Sequence, residues 1–355
     1  MPAARKIALS LLLIPLALAV AGCAAAPPLR EGRPAVHLQW PSLPAPARIQ
    51  WVREISDYND LGMSRGFWSR LSDLLVGEPD YRIVRPYGIY MDLSNRLFVV
   101  DTGRSAVHVM DTRDGKFTII GQEEGVLQTP IGITGDDNDT IYITDSSAGV
   151  IYRYRYQENQ LQPFGTLNHG RPTGIAYNRT NKLLYVSDTT AHQVVVFDLN
   201  GTEKMRIGSR GDGQGRFNFP TDLSIDRTGR LFVTDALNAR VQVFTPTGEF
   251  ITMFGRAGDS SGEMAKPKGI AVDSDGHIYV CDALIDSVQI FNEAGTLLLD
   301  FGGHGSEPGQ FWMPSGLFID HEDYIFVADT YNNRIQVFRY FGGEIVPQEK
   351  NGEKD

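Results

Sequence analysis

From residue 86 onward, short apolar stretches alternate with polar turns in a unit that recurs six times. Each unit opens with a proline, two variable positions and an apolar strand; the six prolines are Pro86, Pro130, Pro172, Pro220, Pro267 and Pro314. A second apolar strand in each unit ends in an aspartate; these are Asp101, Asp145, Asp188, Asp235, Asp282 and Asp329. Two further strands follow, and four short strands in about 45 residues are typical of a propeller blade. The pattern therefore predicts an all-β, six-bladed β-propeller with the first strand of each blade innermost.

The sixth unit lacks one strand, because the chain turns polar soon after Phe338. Residues 48–55 precede the first unit and carry apolar side chains at positions 49, 51 or 52, and 55. We predict that this N-terminal strand supplies the fourth strand of blade six and closes a ring over residues 48–341. The remaining residues 342–355 are expected to form a polar tail.

Residues 57–80 form an insertion between the closing strand and the first blade. Phe67, Leu71, Leu74 and Leu75 recur at helical spacing, which predicts an amphipathic helix. We expect this helix to pack on one end of the ring. The alternative is a helix that binds a partner or the membrane surface.

The first 22 residues have the pattern of an export signal. Arg5 and Lys6 precede an apolar run of about fifteen residues, too short for a membrane span of about 20. The run ends in Val-Ala-Gly-Cys at positions 20–23, which resembles the bacterial lipobox. The resemblance implies cleavage before Cys23, lipid attachment to its thiol and, since Ala24 follows, an outer-membrane location. The alternative is an ordinary export signal with an incidental cysteine. Residues 23–47 contain six prolines and are predicted to form an extended linker.

Composition and charge narrow the classes of function. The chain of 355 residues has a formal net charge of −10, and 42% of its residues are hydrophobic. That apolar content is sufficient for a core and excludes a disordered chain. The acidity argues against a nucleic-acid partner, because binding through phosphates needs a basic surface. Two cysteines cannot form a disulfide framework or a cysteine-based zinc site, and Cys281 is predicted to be a buried thiol.

Two units share a more specific pattern. Residues 230–244 read Arg-Leu-Phe-Val-Thr-Asp-Ala-Leu-Asn-Ala-Arg-Val-Gln-Val-Phe, and residues 324–338 follow the same order of residue types. This pattern resembles the NHL repeat. The resemblance covers residues 86–340, is closest in the last three units, and implies a six-bladed propeller of an exported bacterial lipoprotein.

NHL-like rings include enzymes, whose metal sites can be compared position by position. Resemblance to the peptide-amidating lyase would imply zinc-binding histidines at the middle position of a Pro-His-Gly opening. The corresponding residues here are not histidines; they are Tyr87, Ile131, Thr173, Thr221, Lys268 and Ser315. Gluconolactonase-like rings hold their ion with an early glutamate, and no glutamate lies at a strand opening in this sequence. We therefore predict no metal, no cofactor and no catalytic residue.

Two sets of residues remain as candidate sites. Asp222 stands where the other five units have glycine, and Lys268 lies one position earlier in the next unit. They form a candidate ligand site at the channel mouth or, alternatively, an ion pair between neighbouring blades. Leu237, Leu284 and Ile285 follow the repeat aspartates of units four and five, where the other loops are mostly polar. These three form a candidate partner patch, or they tuck onto neighbouring blades.

The repeat aspartates themselves have a structural explanation. A carboxylate at the end of a strand can accept hydrogen bonds from loop N–H groups. Arg240 and Arg334 each lie five residues after such an aspartate and are expected to pair with it.

These observations favour a membrane-anchored binding or scaffold lipoprotein of the bacterial envelope, with a propeller face that takes part in protein–protein interaction. Its predicted partners are the membrane, through the lipid, and an envelope protein, but not nucleic acid. The alternative is a propeller enzyme, a lyase or lactonase-type hydrolase, that acts at the channel mouth near Asp222. Resemblance to other exported NHL lipoproteins also allows a helper of envelope electron-transfer complexes.

Overall fold

The computed structural model describes residues 37–61, 81–121, 125–167 and 169–342. The predicted signal peptide, Cys23, the start of the linker, the amphipathic helix and nearly all of the tail lie outside these residues. The described chain consists of strands and three short 3₁₀ turns, Tyr58–Leu61, Ala236–Asn238 and Thr330–Asn332. Within it, no helix is long and apolar enough to cross a membrane.

Six antiparallel sheets form the predicted blades. Two strands precede them, β1 (Gln39–Trp40) and β2 (Ile49–Ile55). The strands of blades one to three are β3 (Pro86–Met91), β4 (Arg96–Asp101), β5 (Ala106–Asp111), β6 (Lys116–Ile120), β7 (Pro130–Gly135), β8 (Thr140–Asp145), β9 (Val150–Arg155), β10 (Gln160–Thr166), β11 (Pro172–Asn178), β12 (Leu183–Asp188), β13 (Gln193–Asp198) and β14 (Glu203–Ile207). The strands of blades four to six are β15 (Pro220–Ile225), β16 (Leu231–Asp235), β17 (Arg240–Phe244), β18 (Phe250–Phe254), β19 (Pro267–Val272), β20 (Ile278–Asp282), β21 (Ser287–Phe291), β22 (Leu297–Gly302), β23 (Leu317–Ile319), β24 (Tyr324–Asp329) and β25 (Arg334–Tyr340). The all-β fold with four-stranded blades is confirmed.

The opening proline of a unit lies at a β-bulge. In blade one, Pro86 pairs with Asp101 whereas Ile89 pairs with Val99, so the first strand holds one extra residue. The same shift occurs in blades two to five. A bulge tolerates proline because it interrupts the ladder of hydrogen bonds. In blades one, two, three and five, the glycine that follows, such as Gly88, lies against the backbone of the next blade, where a Cβ would collide.

Blade six is completed by β2, as the sequence predicts. This strand pairs antiparallel with β25, from Ile49 opposite Tyr340 to Ile55 opposite Ile335. Both isoleucines are fully buried. The ring is therefore closed by joining the N-terminal and C-terminal parts of the propeller in a single sheet.

An unpredicted fifth strand, β1, lies outside β2 in the same sheet. It falls within the stretch that the proline content predicts to be linker. Its Trp40 ring packs against Phe301 and Phe338, with centroid distances of 5.7 and 5.8 Å. A buried aromatic anchor thus orders this part of the proline-rich stretch against the ring.

The hydrophobic core is divided into layers between neighbouring blades. In one layer, Leu97 and Val99 of blade one pack with Phe326 of blade six and Ile55 of β2. Each blade is covered by a neighbour on both faces, so the stability of every blade depends on the closure of the ring.

All six repeat aspartates are buried. Asp101 accepts hydrogen bonds from the N–H groups of Val84 and Arg85, at 2.8 and 2.9 Å, in the segment before its own first strand. In blades four and six, the Nε groups of Arg240 and Arg334 donate to the aspartates of their own blades at 2.8 Å. The predicted structural role of these carboxylates is confirmed.

Candidate functional site

Two loops of each blade meet at one end of the ring, here called the upper end. One loop precedes the first strand and the other follows the second strand. A backbone hydrogen bond joins the two, for example from Thr102 N–H to Arg85 O at 2.9 Å and from Tyr331 N–H to Trp312 O at 3.2 Å. The buried aspartate ties both loops down, so the side chains on them have a fixed base.

The six first strands enclose a channel that holds a cavity of about 200 Å³. Its wall combines apolar residues, such as Ile89, Ile133 and Ile175, with polar ones, such as Thr134 and Arg179. Asp222 is the only acidic residue among those that line it. In the parts of the chain that the structure describes, no cluster of three or more histidine, cysteine or acidic residues is placed to hold a metal. The channel thus offers space for a small molecule beside one carboxylate.

Asp222 takes the position that glycine occupies in the other blades. Its Oδ2 accepts a hydrogen bond from the N–H of Ile270 in blade five, at 3.2 Å. The side chain lies in the wall of the channel, and its desolvation there raises the pKa of the Asp222 carboxyl to about 7. The carboxyl can therefore exchange a proton near neutral pH.

Lys268 lies at the same mouth but is not paired with Asp222. Its Nζ lies 5.3 Å from the centre of the Tyr87 ring, a cation–π arrangement, and burial lowers the pKa of its ammonium group. Burial and, to a smaller extent, the charge of Asp222 raise the pKa of the Tyr87 phenol, whereas the charge of Arg171 acts to lower it. Tyr87 thus reaches from blade one towards the blades across the mouth. Among the described residues no ion pair joins Asp222 to Lys268, and the carboxylate instead accepts from the N–H of Ile270 across the blade boundary.

Cys281 is a free and fully buried thiol, as predicted. Its Sγ donates to the carbonyl oxygen of Ser315 at 2.9 Å and so connects blades five and six. Burial raises the pKa of the thiol to about 12, which keeps it protonated and unreactive.

The raised pKa of Asp222 predicts a specific dependence of stability on pH. The folded pKa of about 7 lies above the ordinary aspartate value of 3.8, so the folded protein binds more protons than the unfolded chain between about pH 4 and 7. Asp222 therefore destabilises the fold increasingly as the pH rises through that window. We expect Asp222→Asn to stabilise the protein by roughly 1–3 kcal/mol at pH 8 and much less at pH 4.5, as measured by urea unfolding.

Asp259→Asn is the matched control, because Asp259 is exposed and does not line the channel. Its effect should be small and the same at both pH values. If Asp222→Asn changed the free energy of unfolding equally at pH 4.5 and pH 8, the carboxyl would not titrate in this window.

The three residues of the predicted partner patch differ in exposure. Leu237 and Leu284 have exposed side chains at the upper end, with 65% and 62% of their surface accessible. Ile285 is half-buried. The two leucines therefore do not tuck onto neighbouring blades.

Sequence reasoning missed three aromatic residues at the same end. Tyr331 occupies the loop position of blade six that corresponds to Leu237 and Leu284, two residues after the repeat aspartate. Trp312 and Phe219 precede the first strands of blades six and four, and the Trp312 ring lies 5.6 Å from that of Tyr331. The accessible fractions of these three side chains range from 36% to 47%. Comparing all six loops at one repeat position would have identified Tyr331. We call Phe219, Leu237, Leu284, Trp312 and Tyr331 the apolar arc.

Comparison with known families agrees with this architecture. A family described as a 6-bladed beta-propeller matches residues 227–284, and the NHL repeat matches residues 170–197 and 311–338. The chain carries NHL repeats in a six-bladed β-propeller. The match at residues 170–197 shows that the NHL pattern extends to the third blade.

Solved structures with the same fold have diverse activities. One is a catalytically inactive virginiamycin B lyase from Staphylococcus aureus with quinupristin, at 14% identity and a TM-score of 0.55 over 72% of this chain and 95% of that chain. A gluconolactonase from Xanthomonas campestris matches at 15% identity and 0.56, over 73% and 86% of the two chains. An auxiliary nutrient binding protein from Bacteroides thetaiotaomicron matches at 16% and 0.58, over 74% and 70%. At these identities the similarity shows the fold alone.

Proposed function

We propose that this protein is a binding or scaffold lipoprotein of the bacterial envelope that engages a partner protein with the upper end of its NHL propeller. The apolar arc carries the proposal. Five large apolar side chains from three consecutive blades are exposed on one end of a closed ring. Large apolar side chains that are exposed together on one end of a domain mark an interaction site.

The construction of the arc suits recognition without rearrangement. The rings of Trp312 and Tyr331 contact each other at a tilted angle. The backbone N–H of Trp312 donates a hydrogen bond to the buried Asp329 at 2.8 Å. The N–H of Phe219 donates to His192 Nδ1 in the preceding blade at 3.1 Å. Aromatic side chains with little freedom to lose are those that contribute most to protein interfaces.

Replacing Leu284 by aspartate is expected to remove the interaction in cells. The test is in-cell crosslinking of the tagged full chain, followed by purification and identification of the crosslinked proteins. A charged side chain in the middle of an apolar interface should reduce specific crosslinks at least fivefold, since its desolvation costs about 2–3 kcal/mol or more. Leu93→Asp is the matched control, because Leu93 is 66% exposed in a turn at the other end of the ring. Crosslinks that survive in Leu284→Asp and in Trp312→Ala alike would rule out the upper end as the binding face.

The anchoring half of the proposal rests on Cys23 and the apolar run before it. Cys23→Ala should abolish incorporation of labelled fatty acid and move the protein from the outer-membrane fraction to the soluble fraction. Unchanged membrane association of this variant would show that the cysteine is not the anchor.

A second candidate, an enzyme that acts at the channel mouth, is favoured by the pKa of Asp222 near neutrality. A carboxyl of that kind in an enclosed cavity could serve as a general acid or base. Metal analysis of the purified wild-type protein separates the two candidates. A stoichiometric ion that is lost in Asp222→Asn would favour the enzyme, and a metal-free protein with intact crosslinks would favour the binding function.

A further inference from the structure

The two ends of the ring differ in charge. At the upper end, we consider the three residues before each opening proline and the loops between second and third strands. These segments contain a single acidic residue, Asp286, and four basic residues, Arg85, Arg104, Arg171 and Lys266. At the lower end, the turns between first and second strands contain ten acidic and four basic residues. In a chain with a net charge of −10, these segments are therefore locally cationic.

Asp286 and the repeat aspartates do not neutralise the basic side chains of these segments. Asp286 is buried, where it accepts from the N–H of Met313 at 2.6 Å and contacts His304 Nδ1 at 2.8 Å. The repeat aspartates are buried beneath the loops and bound to backbone N–H groups. Their charge is held within the blades, so the exposed charge of the segments counted above comes from the basic side chains. The exposed acids Asp212, Asp259 and Glu307 lie seven or eight residues before the opening prolines, outside these segments.

Three of the cations surround the channel mouth. Arg85, Arg171 and Lys266 are the residues directly before the opening prolines of blades one, three and five, so they occupy alternate blades around the axis. All three are exposed. Arg85, Arg171 and Lys266 form no ion pair with any residue that the structure describes, whereas Arg104 lies 3.9 Å from Asp101. We call these three residues the cation ring.

The cation ring adjoins the apolar arc. The guanidinium carbon of Arg85 lies 5.8 Å from the centre of the Tyr331 ring, which in turn contacts Trp312. The arc occupies blades four to six only, so the apolar surface lies on one side of the charged mouth. A ligand that covers both surfaces needs negative charge in one part and apolar side chains in another.

We propose that the upper end binds an acidic peptide segment of the partner, with carboxylates at the cation ring and apolar or aromatic side chains on the apolar arc. The inference rests on the proposed binding function and names the chemistry of its partner. An anionic membrane fits this surface less well, because headgroups form an even layer whereas the apolar arc is confined to blades four to six. The four basic residues also provide few contacts for a nucleic-acid chain, whose affinity depends on the number of phosphates neutralised.

The test uses a labelled 16-residue peptide of alternating glutamate and phenylalanine or leucine, and fluorescence anisotropy with the purified full chain. A second peptide has lysine in place of every glutamate. We expect the acidic peptide to bind at least tenfold more tightly than the lysine peptide at 20 mM NaCl, with a clear loss at 300 mM NaCl. If both peptides bound equally, or neither bound, the inference would be overturned.

Charge reversal of the cation ring is the deciding variant. The triple variant should weaken the binding of the acidic peptide at least tenfold; it combines Arg85→Glu, Arg171→Glu and Lys266→Glu. Arg113→Glu, Lys204→Glu and Arg227→Glu change the net charge equally but lie elsewhere on the chain, and they should have less than a twofold effect. Because Arg171 Nε donates to Ser146 Oγ at 3.0 Å, the single variant Lys266→Glu provides a measurement that does not depend on that bond. The Lys266→Glu variant should bind the acidic peptide about threefold more weakly than the wild-type chain.

The crosslinking experiment separates this inference from the proposed function. If Leu284→Asp abolishes the in-cell crosslinks and the charge-reversed triple variant retains them, binding at the upper end stands but the acidic partner is wrong. If phosphatidylglycerol vesicles or a single-stranded oligonucleotide bind the wild-type chain more tightly than the acidic peptide at equal salt, the inference is overturned in favour of that ligand. If Leu284→Asp changes no crosslink, the proposed function fails first.

Discussion

Deleting residues 37–55 should abolish the monomeric ring and produce a chain that unfolds without a sharp transition and forms oligomers. The deletion removes β1 and β2 and leaves β25 as the unpaired outer edge of its sheet. It also opens the core layers on both faces of blade six, to which Ile49 and Ile55 contribute. An exposed strand edge of this kind is a template for pairing with a second copy of the chain.

The deletion is expected to remove most of the free energy of unfolding. A buried isoleucine replaced by alanine typically costs about 2–5 kcal/mol, and two such residues are removed here together with a strand of hydrogen bonds. Gln336 Oε1 also loses the hydrogen bond that it accepts from the Trp51 indole N–H at 2.9 Å. The total is comparable to the whole stability of a typical folded domain, about 5–15 kcal/mol.

Calorimetry and light scattering after size exclusion would measure both effects. Graded variants keep the test informative if the deleted chain is insoluble. Ile55→Ala should lower the free energy of unfolding by about 3 kcal/mol, whereas Val52→Ala, at an exposed site on the same strand, should change it by less than about 0.5 kcal/mol. A deleted chain that remained monomeric with a wild-type melting temperature would show that the ring closes without this strand.

The fold was predictable because its signal is repeated. Six openings with proline, six strands that end in aspartate and one missing strand leave few alternatives, and residues 48–55 were the remaining segment with a strand pattern. β1 was not predictable in this way. Its proline-rich surroundings indicate a linker, and only the tertiary contact of Trp40 with Phe301 and Phe338 orders it.

The site was predictable only where the repeat pattern breaks. Asp222 in place of glycine and the leucines in place of polar residues are visible as departures from the other units. The pairing of Lys268 with Tyr87 was not visible, because it depends on a side chain that reaches across the channel mouth between blades that are not neighbours. The exposure of Trp312 was also hidden, since an aromatic residue before a strand is ordinarily interpreted as core.

Asp329→Asn is expected to lower the free energy of unfolding by about 3–5 kcal/mol, because it breaks a buried charge pair that connects the closing sheet to the upper end. Asp329 Oδ2 accepts from Arg334 Nε at 2.8 Å and from Gln336 Nε2 at 3.0 Å, and Oδ1 accepts from the N–H of Trp312. Every one of these groups is a donor. An asparagine would present its own amide hydrogens to some of them and leave the buried guanidinium without its nearest carboxylate.

Asp145→Asn is the matched control, since Asp145 occupies the same repeat position in blade two. Among the described residues it accepts only from backbone groups, including Gln128 N–H at 2.6 Å and Ala148 N–H at 3.1 Å. Its loss should be about 1–3 kcal/mol. Urea unfolding at pH 7 compares the two, and Arg334→Leu completes a double-mutant cycle in which the combined loss with Asp329→Asn is smaller than the sum. Equal losses for Asp145→Asn and Asp329→Asn would mean that the arginine adds nothing. A larger loss at Asp329 would show that the NHL pattern of this blade stabilises the loops that hold Trp312 and Tyr331 in the apolar arc.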